Sequence, residues 1–217
     1  MAKKKVTTYK WDEFLRRLKS SIFHPKRQSK DILFRLVFGN DRQALLQLYN
    51  VLHGTAYTDP HELQIVTLDN AIYISRKNDL AFLLAGSINM YEHQSTLNPN
   101  MPVRFLIYLA QEYQLLVEST DKSLYGSELI PLPTPQCVVF YNGTADTPDE
   151  YELRLSSAFS NQDVEPAAEV VVKVININYG HNDHLMQGCG MLSQYAQFVA
   201  VTREYANKYD NREEAMN

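Results

Sequence analysis

The chain has 217 residues, 45% of them apolar and 21% charged, with two cysteines and a formal net charge of −4. That length suits one large domain with a tail, and the apolar content is enough to fill a core. No run approaches the ~20 consecutive apolar residues needed to span a bilayer, and the basic start MAKKKVTTYK is not followed by an apolar stretch of signal-peptide length. The expectation is a soluble, cytoplasmic protein. Its Cys137 and Cys189, set in apolar runs without metal-ligand spacing, are expected to be buried reduced thiols.

The charge is unevenly divided: residues 1–30 carry a net +8 and the remainder −12. A basic arm on an acidic body is compatible with nucleic-acid binding, because lysines and arginines displace counterions from phosphates, and also with a solvated tail. Within YKWDEFLRRLKSSIF, Trp11, Phe14, Leu15, Leu18 and Ile22 recur at helical spacing, with Arg16, Arg17 and Lys19 on other faces. Such a helix could dock on the body of the protein, on DNA or on an anionic lipid surface, and docking on its own body is the expectation. Residues 1–29 are read as a basic arm and linker, and 30–217 as the main domain.

DILFRLVFGNDRQALLQLYNVLHG reads as helix, broken near Gly39 and Asn40 and capped by Gly54. Asp31 stands at its start, where a carboxylate suits the helix dipole. ELQIVTLD alternates like a strand, and AIYISRKNDLAFLLAGSINMYEHQST continues as a β-meander with a break at Gly86-Ser87. Pro102 suits the first turn of a helix that carries Phe105, Leu106, Leu109, Tyr113 and Leu116 periodically. QCVVFYNG is a short apolar strand stopped by Asn-Gly, and TADTPDEYELRLSSAFS an exposed loop with a short strand. EVVVKVININY is a β-branched strand, and a closing helix aligns Leu185, Cys189, Leu192, Ala196 and Val199. This order predicts an α/β organisation: a central mixed sheet with helices on its faces.

The meander carries the chemistry. Alternate residues of an extended segment share a face, so Met90, Glu92 and Gln94 point one way, and Tyr91 and His93 the other. Antiparallel pairing of the strand from Asp79 with NMYEHQ brings Asp79 near Glu92 and Gln94. Two carboxylates and an amide oxygen are hard ligands of the kind Mg²⁺ or Mn²⁺ prefers. On spacing alone, a strand whose polar residues face solvent explains these positions better, because D-x12-E-x-Q is not a specific pattern. Arg104 and Tyr108, one turn apart on the next helix, could engage a phosphate. The pair His181 and His184 in YGHNDH is a poor zinc signature without further ligands.

The blocks KNDLAFLLAGSINMYEHQSTLNPNMPVRFLIYLA, LPTPQCVVFYNG and ELRLSSAF resemble the recombination-promoting nuclease/transposase family of the PD-(D/E)XK nuclease superfamily, from about Lys30 to the carboxyl end. The resemblance implies a restriction-endonuclease-like core of helix, three strands, helix and strand. It also implies a metal-dependent DNA endonuclease associated with recombination or mobile elements. Asp79 matches the first acid of the superfamily motif, after Asn78 where the pattern has proline. Glu92 matches the second acid, and Gln94 stands where the superfamily has lysine. The implied catalytic residues are Asp79, Glu92 and Gln94, with Asp79 and Glu92 as ligands of Mg²⁺ or Mn²⁺ and Asp31 as a further candidate ligand or merely a cap. A lysine could help deprotonate the attacking water, whereas Gln94 can only orient it; related nuclease families also tolerate glutamine there. The implied DNA contacts are Arg104 and Tyr108, together with Lys3, Lys4, Lys5, Arg16 and Arg17 of the arm. The alternative is an inactive DNA-binding or protein-interaction module on the same scaffold. A second copy of the chain is admitted as a partner, and no membrane is expected. Members of that family commonly run on past a helix like the one ending in NKYDNREEAMN, so the chain is expected to be a truncated piece.

Deleting residues 1–29 is expected to weaken DNA binding and flatten its salt dependence in a fluorescence-anisotropy titration. Unchanged affinity and salt slope would take the arm off the contact surface.

Overall fold

The computed structural model describes residues 28–66 and 80–215. Their fold is α/β: a six-stranded mixed sheet with helices on both faces. Two helices open it, α1 (Gln28–Asn40) and α2 (Arg42–His53). Strands β1 (Gln64–Ile65), β2 (Leu80–Leu84) and β3 (Ser87–Gln94) follow, then helix α3 (Met101–Glu118) and strand β4 (Thr134–Tyr141). Strands β5 (Glu150–Arg154) and β6 (Val171–Asn176) complete the sheet, and helices α4 (Asp183–Gly188) and α5 (Gly190–Ala215) end it.

The sheet order is β1-β2-β3-β4-β6-β5. The first three strands form an antiparallel meander, β4 and β6 run parallel to β3, and β5 returns antiparallel along the outer edge. Both faces are covered. Helices α1, α2, α4 and α5 pack on one face against Phe82, Tyr91, Phe140 and Ile175. Helix α3 packs on the other against Ala81, Met90, Val139 and Val174. Two-sided cover is the usual state of parallel strands joined by helical crossovers, and it explains the apolar run that closes β4 (Cys137 to Tyr141) and the β-branched residues of β6, which is interrupted by Lys173.

Local chemistry sets the element ends. The expected break in the first helical segment falls one residue later: Gly39 and Asn40 stay helical, and the chain breaks at Asp41, whose carboxylate caps α2 by accepting from the Gln43 and Ala44 amides at 3.0 Å. Gly54 ends α2 in the left-handed region at φ 62°. Helix α1 starts at Gln28, so Asp31 lies inside its first turn rather than at its cap. The β2–β3 hairpin turns at Ala85 and Gly86, one residue before the expected break, with φ 50° and 75°. These angles are those of a two-residue turn whose twist suits the flanking strands.

The closing helix is two helices. It breaks at Cys189, and the expected stripe of Leu185, Cys189, Leu192, Ala196 and Val199 is fully buried across the break. A Cβ on Gly188 would collide with the Val51 side chain, so glycine lets α4 approach α2. The cysteines are free and buried, and burial pushes the Cys137 thiol up to about 12. Among the described residues no helix is long and apolar enough to cross a membrane.

Helix α3 departs from expectation on its inner face. Its buried stripe is Met101, Phe105, Tyr108, Leu109 and Glu112, while Leu106 is exposed. Glu112 is 2% exposed and its Oε1 has no hydrogen-bond partner among the described residues. Burial raises this carboxyl from 4.5 to about 7, since a low-dielectric site disfavours the charged form. A folded-state value above the unfolded one means the unfolded chain releases the proton first as pH rises. Stability therefore falls from about pH 4.5 to about pH 7 and then levels. Glu112→Gln should match wild type in urea unfolding at pH 4 and exceed it at pH 8; an equal difference at both pH values would contradict this account.

Candidate functional site

Glu92 and His93 are sequence neighbours on β3, and the alternation of the strand sends them to opposite faces of the sheet. Both are buried, at 2% and 1% exposure. The His93 ring packs against Phe34, and its Nε2 lies 2.8 Å from the Tyr195 hydroxyl of α5. The parity argument that separates His93 from Glu92 therefore holds, and His93 belongs to the core under α1 and α5.

Glu92 faces α3. Its Oε2 accepts from Arg104 at 2.9 Å and from Gln94 Nε2 at 3.3 Å. Arg104 also donates to the Tyr108 hydroxyl through Nε at 3.3 Å and through its second terminal nitrogen at 3.1 Å. The guanidinium carbon lies 5.7 Å from the Tyr108 ring centre. Helical spacing of one turn brings Arg104 and Tyr108 together, and the descent of α3 across the sheet carries both to β3. Four of the residues singled out from sequence, Glu92, Gln94, Arg104 and Tyr108, thus form one contiguous group. The Arg104 side chain is 20% exposed, so the group opens to solvent on the arginine side.

Asp79 lies outside the described residues, as do Lys3, Lys4, Lys5, Arg16 and Arg17. Leu80, which follows Asp79 in sequence, pairs with Tyr91, which precedes Glu92. The backbone of Asp31 is helical, and its side chain lies outside the described part of the chain.

Among the described residues no three His, Cys, Asp or Glu side chains converge as a metal site. Glu92 and Gln94 supply hard oxygen donors of the right chemistry for Mg²⁺ or Mn²⁺, and further oxygen ligands would have to join them. A cation there would compete with Arg104 for the same carboxylate.

A second polar group, not foreseen from sequence, lies at the carboxyl edge of the parallel strands. Asn142 follows β4 and its backbone N–H donates to the Gln94 backbone carbonyl at 2.8 Å. Asn176 ends β6 and Asn178 lies two residues beyond it, and Arg203 reaches over from α5 to Asn142 and Asn178. His181 Nδ1 lies 2.7 Å from Asp149, and Asn182 Nδ2 donates to the Asp149 and Asn176 carbonyls, each at 2.8 Å. The signal available in sequence was an asparagine directly after each buried strand, in VVFYN and VVKVIN.

No protein-family model, curated protein or solved structure matches the chain.

Removing one partner of a buried ion pair strands the other charge, at a cost of ~3–5 kcal/mol when both are fully buried. Because Arg104 keeps 20% exposure, Arg104→Met should cost less, about 2 kcal/mol. The double variant Arg104→Met/Glu92→Gln should recover most of that loss. A double-mutant cycle by urea unfolding reads the coupling, and additive losses would show that the pair contributes no coupling energy.

Proposed function

We propose that the chain is a metal-dependent DNA endonuclease of the PD-(D/E)XK type, related to the recombination-promoting nuclease/transposase family. The observation that carries this reading is the part-buried contact of Glu92 with Gln94 on one face of β3, beside the strand that Leu80 opens. The sheet supports it as well: a helix, a three-stranded meander, a helix and a strand parallel to the third stand in the order the resemblance implies.

In this reading Asp79 and Glu92 hold Mg²⁺ or Mn²⁺, and Gln94 contributes a neutral amide. The cation, when bound, polarises the phosphoryl group and lowers the pKa of a water. Gln94 orients that water by hydrogen bonding and takes no proton from it. Arg104 holds the Glu92 carboxylate in place from the α3 side, and its exposed flank faces the solvent from which a phosphodiester approaches. Base recognition is not part of the proposal, because phosphate and metal contacts carry no sequence information.

A scaffold that binds DNA without cutting it is the second reading. It is favoured by the ion pair itself: Arg104 already occupies the acid that a cation needs, and Gln94 stands where a lysine is expected.

Plasmid nicking with Mg²⁺ or Mn²⁺ separates the two. Wild type should nick, and Asp79→Ala or Glu92→Ala should each lower the rate by at least ~10²-fold, as loss of several kcal/mol of charge stabilisation requires. An inert wild type that still retards DNA in a gel would end the catalytic reading and leave the scaffold.

A further inference from the structure

The strands β3, β4 and β6 run parallel and end together, and at that edge one guanidinium gathers two asparagines. Arg203 donates to Asn178 Oδ1 at 2.7 Å, to Asn142 Oδ1 at 2.6 Å and to the Asn142 backbone carbonyl. Arginine can only donate, so these contacts orient both side-chain oxygens toward it. Asn178 Nδ2 is engaged by the Gly143 carbonyl and by Asn176 Oδ1, at 3.1 and 2.9 Å. Asn142 is fully buried, and its Nδ2 has no hydrogen-bond partner among the described residues.

The electrostatics are one-sided. Among the described residues, no ion pair includes Arg203. Its partners are all neutral, and part of its N–H capacity is left over beside the unpartnered Asn142 amide. Burial lowers its pKa, yet an arginine remains charged throughout the working range. A neutral donor could tie the same oxygens together without placing a charge in a part-buried site, where an uncompensated charge is costly. Arg203 therefore brings a positive charge with no counter-charge of its own and donors beyond those its asparagines take up, and an anion supplies what both lack; the carboxylate of this polar group, Asp149, lies against His181 instead.

Position agrees with chemistry. Ligands of open α/β sheets approach outside the carboxyl ends of the strands. Asn142 is tied to the carbonyl of Gln94, the residue whose side chain touches Glu92. Tyr195 meets His93 under the sheet, and Arg203 lies about two turns further along α5, roughly 12 Å, which carries it to the edge.

We infer that Arg203, held by Asn142 and Asn178, binds phosphate, and that the phosphate belongs to the backbone of a nucleic-acid strand lying across the carboxyl edge of β3, β4 and β6. The carrier of the phosphate rests on the nuclease reading; the anion site itself does not. A planar guanidinium suits two phosphate oxygens better than an ammonium does.

Two measurements on the full chain test this. In thermal unfolding, inorganic phosphate should raise the midpoint of wild type above that in chloride at matched ionic strength, and Arg203→Gln should lose the increment. In anisotropy titrations with a duplex oligonucleotide, Arg203→Gln should bind on the order of tenfold more weakly, with a salt slope smaller by about one. Arg203→Lys should recover the slope and only part of the affinity. A wild type indifferent to phosphate overturns the site, and that result stands even if the variants fail to fold. Phosphate stabilisation with DNA affinity and salt slope unchanged in Arg203→Gln overturns the nucleic-acid assignment. Arg203-dependent DNA binding by a wild type that does not nick plasmid supports this inference and sinks the nuclease reading. Nicking by wild type with binding indifferent to Arg203→Gln does the reverse.

Discussion

Burial of β3 on both faces is the constraint on which the rest of the molecule depends. A strand covered on one side could leave its polar residues to water. Here Asn89, Glu92 and His93 are all buried; the Asn89 side-chain amide has no hydrogen-bond partner among the described residues, whereas the two ionisable groups find theirs on whichever helix lies opposite. Alternation divides them: Glu92 meets Arg104 of α3, and His93 meets Tyr195 of α5. The strand thereby locks the two helical layers to the sheet through polar contacts as well as apolar ones, and it concentrates the acid and the amide on a single face.

The same sheet makes its carboxyl edge unlike its amino edge. Three parallel strands ending side by side present carbonyls and asparagine amides together. The Asn178, Asn176 and Asn182 bonds hold the turn after β6 against the segment leading into β5. Arg203 closes this belt from α5. Glu92 and Gln94 lie toward the same end of β3, on the α3 face, and Arg203 approaches from the other helical layer.

Much of this arrangement was legible beforehand. Period-2 alternation placed Glu92 and Gln94 together and His93 apart, because a pleated strand leaves no other choice. The closing stripe from Leu185 to Val199 was readable because apolar spacing at helical period demands a common face. The break at Asp41 falls one residue past the expected one; harder to read was the break at Cys189, where a close helix approach accompanies an interruption of a continuous apolar pattern. Glu112 on the inner stripe of α3 ran against polarity, and Leu106 was expected inside but lies in solvent.

By itself the sequence determined which residues share a face, which segments are strands or helices, and where the acid and amide pair lies on its strand. These are properties of one segment's geometry, set within a few residues of chain. Tertiary structure decided who stands opposite. That Arg104 holds Glu92, that Tyr195 takes His93, and that Arg203 reaches Asn142 across 61 positions all depend on how separate segments cross. No local period encodes such crossings, because the free energy that selects them comes from burying both faces of the sheet at once.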